Sequence, residues 1–111
     1  VKPSGVAAQP IAFREVLVLV DTEAPWNETP APVPVEQMQH AAIVQGIRDY
    51  VRKFGFQKVV LGLSGGIDSA LVATLAVDAL GAANVAGIAM PSLYSSDHSI
   101  ADARQLAHNL G

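Results

Sequence analysis

The stretch "KVVLGLSGGIDSALVATLAVDAL", Lys58 to Leu80, constrains the fold of this chain more than any other. An apolar run of strand length, Lys58 to Leu63, breaks into a polar turn with two glycines, two serines and an aspartate. Apolar sequence resumes at once, from about Asp68 to Leu80, and is apolar nearly all round, which predicts a buried helix ended by Gly81. "VAGIAM", Val85 to Met90, is a second strand-length run, stopped by Pro91. Strand, helix and second strand in this order predict a parallel pair joined by a right-handed crossover. Continuous apolar strands predict cover on both faces, as in doubly wound α/β sheets.

The flanks extend this unit. After the polar loop "SLYSSDH", a last helix begins near Ser99, with Ile100, Ala103, Ala107 and Leu110 on its apolar face and Gly111 as its stop. Ser99 and Asp102 have the spacing of a capping box. Upstream, a helix is expected from Val35 to Phe54, with Ile43, Ile47, Tyr50, Val51 and Phe54 on one face. Arg52 and Lys53 in its last turn favour the helix dipole, and Gly55 is its terminator. "REVLVLVD", Arg14 to Asp21, reads as a further strand. Between them Pro25, Pro30, Pro32 and Pro34 forbid regular structure and mark a semi-rigid linker, residues 25–34, as the domain boundary. The fold class is therefore α/β, a parallel doubly wound domain of which the N-terminal β-α-β-α part is present.

Composition narrows the function classes. Half of the 111 residues are hydrophobic and 15% are charged, which describes a globular chain. The net charge of -3 and the absence of a Lys/Arg cluster argue against nucleic acid and anionic membranes as partners. No apolar run is long enough to span a bilayer, and nothing near Val1 reads as a secretory signal. The chain has no cysteine, which excludes disulfides, thiolate metal sites and a cysteine nucleophile within it and fits a reducing compartment. His40, His98 and His108 lack metal-ligand spacing.

In open α/β sheets ligands sit beyond the carboxyl ends of the strands, where the turn Ser64 to Ser69 falls. Gly65 and Gly66 let the backbone bend and approach a ligand with no Cβ in the way. Their N–H groups, those of the helix start and the hydroxyls of Ser64 and Ser69 suit an anion rich in oxygens, phosphate above all. Two familiar phosphate loops do not fit. The Walker loop needs a lysine where this chain has Asp68, and Gly62, Gly65 and Gly66 lack the dinucleotide spacing. An aspartate beside phosphate calls for a cation between them, and Mg²⁺ favours that mix of carboxylate, phosphate and water. The bland alternatives are an ordinary serine-capped turn and an acidic residue drawn to the helix start by its dipole. Met90 reads most simply as a strand-end core residue, Ser92, Ser95 and Ser96 as loop polarity, and Trp26 and Tyr94 as packing residues.

"SGGIDS" matches the S-G-G-x-D-S signature of the ATP pyrophosphatases, or PP-loop enzymes. With "MPSLYSS" after the second strand, the stretch from Leu61 to Gly111 resembles the start of the synthetase domain of the glutamine-dependent NAD⁺ synthetases. The likeness is strong over residues 35–111. It extends weakly upstream, where "PIAFREVLVLVD" looks like the closing strand of a nitrilase-type glutaminase domain, assigning residues 1–24 to that domain's tail.

The resemblance implies that Gly62, Leu63, Ser64, Gly65, Gly66, Ile67, Asp68 and Ser69 wrap the phosphates of ATP. It implies that Asp68 ligates Mg²⁺, that Met90 lies near adenine, and that Ser95 and Ser96 line the site. The implied reaction amidates deamido-NAD⁺ through an adenylate, with ammonia from glutamine, in a cytoplasmic, homo-oligomeric full-length ligase. No catalytic side chain is assigned.

Two sequential strands cannot cover the apolar faces these segments present, so the chain reads as an excerpt of a longer protein, inactive and poorly stable alone. Another PP-loop amidotransferase or ligase, a nucleotide-binding module without catalysis, and a purely structural piece are the alternative readings.

Overall fold

The structure, a computed structural model, describes residues 12–19, 21, 23, 32–90 and 97–111. Five main elements follow one another: α1 (Val35–Lys53), β1 (Val59–Leu63), α2 (Ile67–Leu80), β2 (Val85–Ala89) and α3 (Asp97–Leu110), with a 3₁₀ turn at Ala82–Asn84 before β2. The chain packs as two units, Val1–Ala42 and Ile43–Gly111.

In the first unit residues 15–19 of the expected strand Arg14 to Asp21 are not a strand. Among the described residues they join no ladder, and Leu17 and Leu19 are 92% and 94% exposed. A strand needs a neighbour to take its backbone N–H and C=O groups, and no described segment does so here. Of the expected linker, residues 32–34 are irregular and exposed, while Pro25, Pro30 and Trp26 lie outside the described residues. The Pro34 carbonyl accepts the Met38 N–H at 3.1 Å, which starts α1 directly after the last proline, and Glu36 suits its first turn.

In the second unit β1 and β2 form a parallel pair in register from Val59 opposite Val85 to Leu63 opposite Ala89. Side chains alternate across a strand, so Leu61 and Leu63 share one face. That face is covered: Leu63 is buried with Ala73 of α2 and Ala103 of α3, and Leu61, Leu106 and Leu110 pack around them. A Cβ on Gly87 would lie 2.6 Å from Leu63 Cδ1, so the glycine in β2, itself opposite Leu61, makes room for the core leucine further along β1. The other face is open, with Val60 64% and Ile88 50% exposed. The expectation of strands covered on both sides therefore holds on one side of this pair.

α2 shows the same asymmetry. Ala73, Leu75, Ala76 and Ala79 are buried, whereas Ile67, Leu71 and Val72 are exposed. Its all-round apolar sequence has a partner on one flank among the described residues. α1 reaches α2 through Val44 and Ile47, which meet Leu75, Ala79 and Leu80. The buried stripe of α1 is thus Val44, Ile47 and Val51, not the full expected face: Ile43, Tyr50 and Phe54 are exposed. Tyr50 and Phe54 pack on each other instead, with ring centroids 4.6 Å apart. The apolar residues of α1 span more than one stripe, and periodicity alone does not say which stripe a neighbour takes.

The helix ends follow known stops. After α1, the Phe56 N–H bonds to the Val51 carbonyl and the Gly55 N–H to that of Arg52, each at 3.0 Å, with Gly55 at φ 73°. This is a Schellman turn. α3 begins at Asp97, so Ser99 lies inside the helix and not at its cap. Several cap-competent residues follow one another from Ser95 to Ser99, and the capping pattern does not choose among them.

Candidate functional site

The four last carbonyls of α2 are all satisfied by protein. Val77 O accepts the Gly81 N–H at 2.8 Å, Asp78 O accepts Arg48 Nη2 at 3.3 Å, Ala79 O accepts Arg48 Nε at 3.0 Å, and Leu80 O accepts Asn84 Nδ2 at 2.9 Å. The helix has no basic residue in its own last turn, and Arg48 of α1 supplies the cation that its negative end favours.

The opposite end differs. The N-cap is Gly66, which has no side chain to cap with. The first helical bond runs from the Ala70 N–H to the Gly66 carbonyl at 3.1 Å. Helix geometry therefore leaves the N–H groups of Ile67, Asp68 and Ser69 without acceptors inside the helix. One end is closed by protein and the other is left open toward the turn. Three oriented donors and the positive end of a dipole favour an anion there.

The turn itself is held by hydrogen bonds. Ser69 Oγ donates to the Gly66 carbonyl at 2.9 Å. It accepts the Ser64 N–H at 3.3 Å and lies 3.1 Å from Ser64 Oγ. Ser69 spends its one proton on a carbonyl, so the proton between the two hydroxyls is that of Ser64. Ser64 Oγ in turn accepts the Gly66 N–H at 3.2 Å. Both hydroxyl protons and the Gly66 N–H are thus engaged within the turn, where the sequence suggested donors aimed outward.

Gly65 has φ 82°, a left-handed conformation that favours glycine. A Cβ there would meet the Ser99 carbonyl oxygen and lie 2.7 Å from Ser99 Cα. The absent side chain makes room for the first turn of α3 as well as for the bend. Sequence reasoning gave Gly65 to the ligand and did not find Ser99, because only tertiary packing brings the two together. Arg48 was missed too, although the absence of a basic residue at the end of α2 was a readable signal.

The structure brings most of the expected site residues to one end of the parallel pair. Gly62 and Leu63 close β1, Ser64 to Gly66 form the turn, and Ile67, Asp68 and Ser69 open α2. Met90 follows β2 and is 73% exposed. A Cβ on Gly62 would lie 3.0 Å from the Met90 methyl, so Met90 lies over the β1 end and is not a core residue. Ser64, Met90, Ser99 and Ile100 share a small cleft at the strand ends. The Leu63 side chain is buried, so its backbone alone can face a ligand. Asp68 is exposed, and its carboxylate makes no hydrogen bond or ion pair among the described residues. No group of three metal-ligating side chains occurs among them. Ser92, Tyr94, Ser95 and Ser96 lie outside the described residues.

A parallel strand–helix–strand unit whose helix start is left open beyond the strand ends defines an α/β protein with a turn of a kind that favours anions. Residues 39–111 match the family model described as NAD synthase, and the chain belongs to that family. It is 52% identical, over 98% of its length, to a glutamine-dependent NAD(+) synthetase of Rhodobacter capsulatus, and it covers 21% of that protein. An NH(3)-dependent NAD(+) synthetase of Helicobacter hepaticus is 59% identical over 58% of this chain, which covers 23% of that protein. The glutamine-dependent NAD+ synthetase of Acinetobacter baumannii, solved in complex with adenosine diphosphate, superposes with a TM-score of 0.74 at 42% identity. That match takes in 78% of this chain and 16% of the other. The chain thus spans about a fifth of the length of these relatives.

Proposed function

We propose that this chain is the opening part of the synthetase domain of a glutamine-dependent NAD⁺ synthetase, and that the turn Ser64–Ser69 holds the phosphates of ATP. The observation that carries the reading is the unequal treatment of α2, closed at its carboxyl end by Arg48, Gly81 and Asn84 and left open at the turn. That a related structure was solved in complex with adenosine diphosphate supports the use of an adenine nucleotide.

In the reaction, a carboxylate oxygen of the pyridine ring of deamido-NAD⁺ attacks the α phosphorus of ATP. The bond to the bridging oxygen breaks and pyrophosphate leaves. Ammonia then attacks the acyl carbon of the adenylate, AMP departs, and the amide of NAD⁺ remains. The turn's part is to bind and orient: the N–H groups of Ile67, Asp68 and Ser69 face the departing charge, and the braced loop keeps them aimed without reorganisation. Asp68 fits the role of a Mg²⁺ ligand because it is an exposed, uncommitted oxygen donor beside the proposed phosphate position. When bound, Mg²⁺ supplies charge neutralisation of the phosphates. Met90 lies at the strand end beside Gly62, which supports a role for it at the border of the adenine.

Residues 1–24 are assigned to the tail of a preceding glutaminase domain and residues 25–34 to the linker. The glutamine-dependent Rhodobacter protein aligns with 98% of the chain and the NH(3)-dependent Helicobacter protein with 58%, which favours glutamine as the nitrogen source. A cytoplasmic, homo-oligomeric enzyme is part of the same reading and rests on the resemblance. Asp68→Asn in the full-length protein is expected to lower Mg²⁺-dependent pyrophosphate release by about a hundredfold, the scale of losing one electrostatic stabiliser. Unchanged release in that variant would remove Asp68 from the site.

A further inference from the structure

The two serines of the turn are chemically alike and placed differently. Ser64 is exposed at the end of β1, while Ser69 is half-buried in the first turn of α2. A hydroxyl has one proton to give and two lone pairs to receive with. Ser69 uses all three: its proton goes to the Gly66 carbonyl, and its lone pairs take the Ser64 N–H and the Ser64 hydroxyl. Its oxygen therefore has no capacity left for a phosphate. The same oxygen joins the last residue of the strand side to the N-cap of the helix, across the span of the turn.

We infer that Ser69 is a positioning residue, which fixes the turn before any ligand arrives and does not touch the ligand through its hydroxyl. Without it, the Ser64 N–H loses its partner, the Ser64 hydroxyl turns away and the Gly66 carbonyl keeps only the Ala70 N–H. The open N–H groups of the helix start would then have to be ordered at the expense of binding energy. The inference about the ligand rests on the ATP reading above. The inference about the brace stands on the free turn alone.

The test measures amide hydrogen exchange at Ser64 and Gly66 in the ligand-free, full-length protein, together with affinity for ATP and for inorganic pyrophosphate. In the wild type the Ser64 amide is expected to be protected. Exchange at the unprotected rate would overturn the brace without recourse to any variant. Ser69→Ala is expected to raise exchange at Ser64 and to weaken both ligands by about tenfold, as one or two lost hydrogen bonds do. Ser69→Thr keeps the oxygen and is expected to restore both. If Ser69→Ala weakens pyrophosphate binding while free-state exchange at Ser64 stays at the wild-type rate, the hydroxyl contacts phosphate directly and the inference falls. A wild type that binds neither ATP nor pyrophosphate overturns the ATP reading, and the exchange at Ser64 still decides the brace.

Discussion

Gly65 and Ser69 show how single residues of the motif divide their work. "SGGIDS" reads as a phosphate turn from its residue types, and its position beyond the strands was legible for the same reason. The internal bonding was not legible, because a serine that donates to a phosphate and one that braces a loop have the same letter. Nor does the sequence reveal that Gly65 lies under the first turn of α3, since Ser99 is far along the chain. Gly65→Ala would combine a left-handed φ of 82° with a Cβ against the Ser99 backbone. The first term alone costs about 1 kcal/mol, and the backbone clash adds to it. The expected outcome in the full-length protein is weaker ATP binding by isothermal titration and a lower melting temperature. Gly66→Ala, with φ -88° and its nearest neighbour, Ser64 Oγ, 3.4 Å from a new Cβ, is expected to be milder in both. Equal tolerance at the two positions would contradict the packing given to Gly65.

At the scale of elements, the order of strand and helix and the parallel pairing follow from run lengths, glycine stops and the crossover rule. The faces do not. Val44 and Ile47 of α1 are taken by α2 and Val51 is buried, while Ile43, Tyr50 and Phe54 of the same helix are exposed. Periodicity groups Ile43, Ile47, Tyr50, Val51 and Phe54 and leaves out Val44, and only the position of the neighbour decides which stripe is covered. The run from Val16 is apolar enough for a strand, yet residues 15–19 form none among the described residues, because pairing is a property of two segments. Arg48 ties α1 to α2 through two carbonyls at the end of α2. Arg48→Ala is expected to cost about 1–2 kcal/mol, since two charge-assisted bonds and a dipole partner go together. Thermal melting of the full-length protein checks this. Arg48→Lys keeps the charge without the planar fork and should fall between the two. A lysine variant no more stable than the alanine variant would assign the effect to geometry alone.

At the scale of the molecule, the open sheet face at Val60 and Ile88 and the bare flank of α2 at Ile67, Leu71 and Val72 are apolar surface in want of cover. The relatives are about five times longer than this chain, and the proposal gives that cover, and the rest of the active site, to the remainder of such a protein. The fold class was readable because the βαβ unit is local in sequence. The completed site was not, because on that proposal its other walls come from the remainder of the protein. The central claim is that the turn holds ATP for cleavage between the α and β phosphates in the amidation of deamido-NAD⁺. The most direct test is product analysis with deamido-NAD⁺, ATP, Mg²⁺ and glutamine, run on the full-length protein and on the isolated 111-residue chain. The account predicts NAD⁺, AMP and pyrophosphate in equal amounts from the full-length protein and none from the isolated chain. Release of ADP and phosphate by the full-length protein, or NAD⁺ formation by the isolated chain, would contradict it.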